Sequence, residues 1–183
     1  MSTALLTRQL PRLPWLLAGG ATVHLRLLTP QDAPAEQRFF NGLSLDSRHQ
    51  RFHFGLHEVS ASLLALLVNV DQQFHRAWVL EHDTPAGPVV MADARHVSDP
   101  ADPTRAEFAL AVADAWQGRG LGRRLLGHVI DDARARGVRT LFGDVLAENR
   151  RMLALMREAG LRLHAHPDGP QLVRATWSAA DMP

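Results

Sequence analysis

A glycine-rich turn between an apolar strand and an amphipathic helix is the feature that most constrains the fold of this chain. The turn reads Gln117-Gly118-Arg119-Gly120-Leu121-Gly122. Glycine adopts left-handed backbone conformations and lets a ligand approach the main chain closely. The free N–H groups of the first helical turn, together with the helix dipole, attract anions. The turn therefore predicts a phosphate or pyrophosphate site, with a glycine-rich connection that binds nothing as the alternative.

Two better-known phosphate motifs do not fit this turn. A Walker A loop requires Gly-Lys-Ser/Thr, which the chain lacks. A dinucleotide-binding fingerprint requires a third glycine, but Arg123 or Leu125 stands at that position, depending on the starting glycine. Asp144 has about the right spacing for the ribose-binding acid of that motif. However, the strands that precede the turn are wrong for a fold whose fingerprint follows its first parallel strand.

The hydrophobic periodicity changes along the chain from strand to helix several times. A hairpin is predicted at Gly19-Gly20, between residues 15–18 and 21–28. Helices are predicted over 31–42, 44–54, 60–70, 120–136 and 149–159. Strands are predicted over 77–81, 88–97, 104–113, 138–146, 161–166 and 171–177, with loops at 83–87 and 99–103. Three consecutive strands on short connections indicate an antiparallel meander, and the whole pattern indicates a mixed α/β (α+β) fold.

Composition narrows the class of protein. A chain of 183 residues suits one domain, and the absence of cysteine excludes disulfides, zinc–thiolate sites and a cysteine nucleophile. A formal net charge of +1 is too small to argue for nucleic-acid binding. Arginine clusters suit a small anionic ligand, although a solvated helix face explains many of them equally well. No apolar run is long enough to span a membrane, so we expect a soluble, cytoplasmic protein.

The glycine turn resembles the acetyl-CoA-binding signature of the GNAT (GCN5-related) N-acetyltransferase superfamily. That signature, Gln/Arg-x-x-Gly-x-Gly/Ala, is carried here by Gln117, Gly120 and Gly122. The resemblance covers residues 21–166 and includes Asn149, about thirty positions further on. It implies a mixed, mostly antiparallel sheet of six to seven strands with four to five helices. It also divides a single domain 1–183 into an N-terminal extension or extra strand (1–20), a meander with substrate-side helices (21–113) and an acetyl-CoA-binding half (114–183).

A narrower resemblance links the chain to the acetyltransferase domain of bacterial Pat-type protein lysine acetyltransferases. It is carried by residues 25–32, 42–52, 106–109, 116–122 and 147–153. In such proteins this domain is often fused to an acyl-CoA-synthetase-like or cyclic-nucleotide-binding domain, and this chain contains neither. A protein lysine and a small-molecule amine therefore both stay open as the acceptor, and a homodimer stays open as the assembly.

The resemblance implies direct acetyl transfer from acetyl-CoA to a primary amine, without a metal ion. It implies that the pantetheine arm enters where two neighbouring strands separate and that the pyrophosphate binds the glycine turn. The acetyl-CoA-binding residues are then Leu110, Ala111, Val112, Gln117, Gly118, Arg119, Gly120, Leu121, Gly122, Arg123 and Asn149. Asn149 is also an ideal helix N-cap, which accounts for it without a ligand.

Glu107 is the candidate catalytic residue. Strand alternation places Glu107 with Ala109 and Ala111 on one face, opposite Phe108. A carboxylate among small alanines can reach into a cleft and accept the proton of the attacking amine. Pat-type domains carry an acid on this strand, whereas without the resemblance a solvent-facing glutamate is the simpler interpretation.

The proton donor for the leaving thiolate is missing from the pattern. Many relatives carry a tyrosine in the helix after Asn149, but Met156 stands at that position and the chain contains no tyrosine. Either the thiolate leaves unassisted or another group protonates it. A catalytically silent acetyl-CoA sensor is therefore the alternative function.

Several histidines call for separate interpretation. His49, His53 and His57 recur every four residues, a spacing found in metal sites. Because Gly55 is expected to end the helix and no acid completes the set, a place beside the acceptor groove is favoured over a metal site. His164 and His166 are predicted to be ordinary surface or edge residues.

Overall fold

The computed structural model describes residues 11–181, which form an eight-stranded sheet with five α-helices. The strands are β1 Leu13–Leu16, β2 Thr22–Leu27, β3 His75–Thr84, β4 Gly87–Asp99, β5 Asp102–Val112, β6 Thr140–Leu146, β7 Arg162–Ala165 and β8 Leu172–Ser178. The helices are α1 Ala33–Gly42, α2 Leu45–Phe52, α3 Ala61–Val68, α4 Leu121–Ala135 and α5 Arg150–Glu158. Residues 1–10 of the predicted N-terminal extension lie outside the described residues.

The strand order is β1-β2-β3-β4-β5-β6-β8-β7, and every neighbouring pair except β5 and β6 is antiparallel. The predicted mixed, mostly antiparallel α/β fold is therefore confirmed, with eight strands where six to seven were expected. The parallel pair is joined through α4, since a crossover helix returns the chain to the same edge. The glycine turn thus lies between the end of β5 and the start of α4.

The strands of the meander extend further than predicted. β4 begins at Gly87 and runs to Asp99, and β5 already begins at Asp102. The predicted loop 99–103 shrinks accordingly to a two-residue connection. Its aspartates and prolines are turn formers, but the sequence pattern could not show that several of them also continue the ladder.

The sheet buries an apolar cluster on each of its faces. On one face, α4 and α5 pack their apolar stripes against the strands, and Leu125, Leu126 and Val129 are fully buried. On the other face, α1 and α3 cover a smaller cluster around Phe40 and Val79. The helix after the glycine turn, predicted to be amphipathic, is α4, and the residues it buries are apolar.

Charged side chains are buried between α1 and β4. Glu36 and Asp93 are fully buried, and Arg95 is nearly so. Arg95 donates from Nε and Nη2 to the two oxygens of Asp93, at 3.1 and 2.5 Å. Neither oxygen of Glu36 accepts a hydrogen bond. Burial and the neighbouring charge of Asp93 raise the pKa of Glu36 to about 9, so this side chain is neutral at pH 7.

Across residues 11–181, none of the helices is long and apolar enough to cross a membrane.

Candidate active site

The site is built around a separation between β5 and β6. The two strands pair only from Arg105↔Thr140 to Glu107↔Phe142, although β5 continues to Val112 and β6 to Leu146. Directly after the last pair, the Phe108 ring lies against the backbone of Gly143. A Cβ atom at Gly143 would come within 2.8 Å of two Phe108 ring carbons. A glycine is therefore needed where the strands part, and beyond it β5 has no strand on its β6 side.

The separation opens into two connected hollows. One, of about 260 Å³, lies between the diverging strands and α2. The other, of about 370 Å³, lies beside the glycine turn and α5. We call the first the acceptor cavity and the second the donor groove. They share one set of lining residues, Gln50, Leu110, Val112, Gln117, Asn149 and Met152. The two hollows therefore adjoin along these residues, and we call them together the channel.

The glycine turn forms one end of the donor groove. Gly118 and Gly120 have positive φ angles of 77° and 80°, a conformation that glycine adopts without strain. Gly120 is the N-cap of α4, and no side chain caps this helix. Gly122 brings α4 close to α5, because a Cβ there would lie 3.3 Å from a Leu155 methyl carbon. Uncapped N–H groups therefore border the groove, as an anion site requires.

Gln117 ties the turn to the strand and to α2. Its side-chain amide donates to the Val112 carbonyl at 3.0 Å and to the Ser47 hydroxyl at 3.2 Å. Its oxygen accepts from Arg151 Nη1 at 3.1 Å. Gln117 therefore fixes the mouth of the groove as well as lining it.

Asn149 caps α5, as its sequence position suggested, and it also contacts α2. Its Oδ1 accepts from the Met152 N–H at 3.0 Å, which is the N-cap of α5. Its Nδ2 donates to Gln50 Oε1 at 3.2 Å. Because Asn149 lines both hollows, it can contact a ligand while it caps the helix.

The arginines near the turn divide between the groove and other surfaces. Arg123 lines the groove and pairs with Glu158. Arg119 lies outside the groove lining, with its guanidinium carbon 4.6 Å above the centre of the Trp116 ring. Arg124, also at the start of α4, stacks on Trp15 at 4.2 Å and does not line the groove. All the other predicted acetyl-CoA-binding residues line the channel.

Glu107 lines the acceptor cavity at the last paired position of β5. Although Glu107 as a whole is exposed to solvent, desolvation where it faces the protein raises the pKa of its carboxyl group, and the negative charge of Asp144 raises it further. The positive charges of Arg174 and Arg51 act in the opposite direction. A carboxylate with a raised pKa at the edge of a cavity is suited to accept a proton.

Asp144, which the sequence offered only as a poor match to a ribose-binding acid, forms the opposite wall of the acceptor cavity. Arg174 donates to both of its oxygens, at 2.8 Å each. His166 Nε2 lies 2.9 Å from Oδ2, while its Nδ1 accepts from the Asp168 N–H at 3.0 Å. The prediction that His166 is an ordinary surface residue was therefore wrong, because its side chain is buried against Asp144.

Helix α2 supplies the third wall, where histidines were predicted to lie beside the acceptor groove but the other lining residues were not identified. Ser47, Gln50 and Arg51 line the cavity from this helix. Asp114, at the end of β5, accepts hydrogen bonds from Ser44 and Ser47 and anchors the start of α2. The sequence signals for this helix were its histidine spacing and the resemblance of residues 42–52 to Pat-type domains.

The Arg51 guanidinium is buried over two phenylalanine rings, 5.0 Å from the centre of Phe52 and 5.9 Å from that of Phe40. Burial lowers its pKa to about 10, and the nearby Asp93, 3.8 Å away, opposes this. Arg51 remains charged at pH 7.

Met156 is buried and lines the acceptor cavity at the position where a tyrosine was expected. It offers no proton. His53 also lines the cavity and ends α2 in a left-handed conformation, with φ 64°. Because α2 ends at Phe52, His57 does not continue the face of His49 and His53. Within residues 11–181 no three or more His, Cys, Asp or Glu side chains are grouped to hold a metal ion.

Comparison with known proteins identifies this arrangement. The model of the acetyltransferase (GNAT) family matches residues 37–161, more than half of the chain. The chain belongs to the GNAT acetyltransferase family. It is 34% identical over 151 residues to the acetyltransferase Pat of Mycolicibacterium smegmatis, a match that covers 81% of this chain and 44% of that protein. It therefore spans less than half the length of that relative.

Two further similarities agree with this membership. An acetyltransferase of Pseudomonas aeruginosa is 33% identical over 153 residues, covering 83% of this GNAT chain and 81% of the relative. The crystal structure of the GNAT domain of the S. lividans PAT protein superposes with a TM-score of 0.80 at 27% identity, over 91% of this chain and 96% of that domain. The resemblance found in the sequence to Pat-type domains is confirmed.

Proposed function

We propose that this GNAT-family acyltransferase moves an acetyl group from acetyl-CoA to the side-chain amine of a protein lysine. The observation that carries the proposal is the channel: a groove bordered by helix N–H groups adjoins, where two strands separate, a cavity that contains Glu107. The resemblance to Pat-type protein lysine acetyltransferases, matched by relatives named Pat, supports a protein acceptor.

The donor groove fits acetyl-CoA. The uncapped start of α4 and the side chain of Arg123 suit the pyrophosphate. The stretch of β5 from Leu110 to Val112 lies beside no strand on its β6 side, which leaves room for an extended pantetheine arm. Acetyl-CoA supplies a thioester, the carbonyl carbon of which an amine attacks. The protein's task is to hold that thioester at the junction of groove and cavity.

Glu107 then acts as the general base. A lysine side chain has a reference pKa of about 10.4, so it arrives at neutral pH as an ammonium ion that cannot attack a carbonyl. The Glu107 carboxylate accepts one proton, directly or through water, and the free amine forms the new C–N bond as the C–S bond breaks. The second proton of the nitrogen is lost as the amide forms and passes to solvent or to the leaving thiolate, since Met156 has no proton to donate to that thiolate.

Thiol release from acetyl-CoA tests the proposal. The purified protein is incubated with a panel of lysine peptides, folded proteins including acyl-CoA synthetases, and small primary amines. The chain contains no lysine, so every acetyl-lysine found by mass spectrometry belongs to the acceptor. Lysine-dependent thiol release supports the proposal. Release only with small amines assigns a small-molecule acceptor instead, and acetyl-CoA binding without any transfer indicates the sensor function.

A further inference from the structure

The acceptor cavity holds a second carboxylate that the general-base mechanism does not use. Strand register places it on the same side of the sheet as Glu107. Phe142 is the parallel partner of Glu107, and Asp144 follows two residues later, so its side chain points to the same face. Both carboxylates line the cavity. An amine that reaches Glu107 therefore passes along the wall that carries Asp144.

The orientation of Asp144 is fixed from the side away from the cavity. Arg174, its direct partner on β8, donates from Nε to Oδ1 and from Nη2 to Oδ2. His166 Nδ1 accepts a backbone N–H, which leaves Nε2 as the ring nitrogen that donates to Oδ2; Arg174 Nη2 lies 2.9 Å from the same nitrogen. Neither Arg174 nor His166 lines the cavity. These two residues act as positioning residues for the carboxylate.

Asp144 Oδ1 can accept one more hydrogen bond than residues 11–181 give it. Each carboxylate oxygen can accept about two hydrogen bonds. Within this part of the chain Oδ2 has two donors, from Arg174 and His166, whereas Oδ1 has one, the Nε of Arg174. The Asp144 side chain is 18% exposed, enough for one further donor to reach it from the cavity. An ammonium group, with three N–H donors, can contact this oxygen and the Glu107 carboxylate together.

We propose that Asp144 is the specificity-determining residue of the acceptor cavity, selecting acceptors that arrive as a cationic primary amine. The proposal rests on the proposed function, in which such an amine gives up its proton to Glu107. The charges that act on Glu107 are Asp144 on β6, Arg174 on β8 and Arg51 on α2, and His53 at the end of α2 lines the same cavity. Among these, Asp144 affects the Glu107 carboxylate more than either arginine does.

The test compares two acceptors in the full chain. One is a lysine peptide, and the other is the same peptide with an aminooxy group in place of the ε-amine, which is uncharged at neutral pH. For Asp144→Asn we expect kcat/KM on the lysine peptide to fall by at least about tenfold, mainly through KM, because a hydrogen bond to a charged group is lost. On the aminooxy peptide, kcat/KM changes less than about threefold, and KM for acetyl-CoA stays the same. Asp131→Asn, an equal charge change on the exposed side of α4 outside the channel, leaves kcat/KM for both peptides unchanged.

A second variant separates this role from damage to the fold. Asp144→Asn removes a negative charge near Glu107, so the acid limb of the profile of kcat/KM against pH moves to lower pH. Arg174→Gln removes a positive charge, so the same limb moves to higher pH. Structural damage does not produce shifts of opposite sign.

The outcomes distinguish the two proposals. A wild-type enzyme that transfers to neither peptide overturns the proposed function and this inference together. A wild-type enzyme that acetylates the lysine peptide while Asp144→Asn reduces both acceptors equally, or reduces neither, overturns the inference alone. A wild-type preference for the aminooxy peptide also overturns the inference about Asp144 and leaves the proposed function standing.

Discussion

Replacing Glu107 with glutamine tests the chemical step most directly. The substitution keeps the size and polarity of the side chain but removes the group that takes the proton. At pH 7.4 a lysine amine with a pKa of about 10.4 is free in only about one molecule in a thousand. Without the base, the variant must rely on that fraction. We therefore expect Glu107→Gln to lower kcat/KM for the acceptor at pH 7.4 by about a hundredfold to a thousandfold, within the usual range for general-base catalysis.

The pH dependence gives this prediction its specific form. Because the pKa of Glu107 is raised by desolvation and by Asp144, wild-type activity falls as the pH drops through that raised pKa, where the carboxylate becomes protonated. In Glu107→Gln this limb disappears. Instead, log kcat/KM rises by about one for each pH unit towards the pKa of the amine, as more of the acceptor becomes free.

The assay is continuous thiol release at fixed saturating acetyl-CoA, from pH 6 to about pH 10, with acetyl-CoA affinity measured separately by calorimetry. Glu58→Gln is the matched control, since Glu58 is exposed and lines neither hollow. A Glu107→Gln enzyme within about threefold of wild type at pH 7.4 would refute the general-base role. A loss of acetyl-CoA binding would show that Glu107 belongs to the donor site instead.

Three other substitutions test the donor groove, the third wall and the buried charges. Gly120→Val should weaken acetyl-CoA affinity by about tenfold or more, measured by calorimetry, because a β-branched residue is strained at φ 80° and would shift the N–H groups at the start of α4. Asp114→Ala should remove the anchor of α2, lower the melting temperature by a few degrees and raise KM for the acceptor. Glu36→Gln should raise the melting temperature at pH 8 by about 2–4 °C or more. The folded-state pKa of about 9 lies above the unfolded value, so the wild type loses stability as the pH rises between these two pKa values, whereas the variant does not. Melting curves at pH 5 and pH 8 that show the same difference between wild type and Glu36→Gln would contradict this.

Local sequence features determined the elements that carry the donor side. The glycine turn, the apolar stripe of α4 and the N-cap at Asn149 each depend on residues close together in the chain. Local backbone preference, capping and helical periodicity can therefore be inferred from the sequence. The β5 strand could be placed in the same way, and its alternation set Glu107 on the face opposite Phe108.

The acceptor cavity depended on contacts between distant segments. Asp144 lies 37 residues after Glu107 in the sequence and 30 before Arg174, and only the order β5-β6-β8 brings the three together. Nothing local marks Gln50 or Arg51 as parts of a site, because α2 is held there by residues distant in the sequence, such as Asp114, which contacts Ser44 and Ser47. His166 was wrongly predicted to be a surface or edge residue for the same reason, since its contact with Asp144 joins residues distant in the sequence.

The sequence by itself determined that an anion would meet the start of α4, since that depends on glycines and free N–H groups within a few residues. Only the tertiary structure decided what faces the other end of the channel. Two strands that pair for three positions and then part around Gly143 create a cavity, and charges from β6, β8 and α2 surround it. Those charges act through space, so their effect on Glu107 follows from distance in the fold and not from distance along the chain.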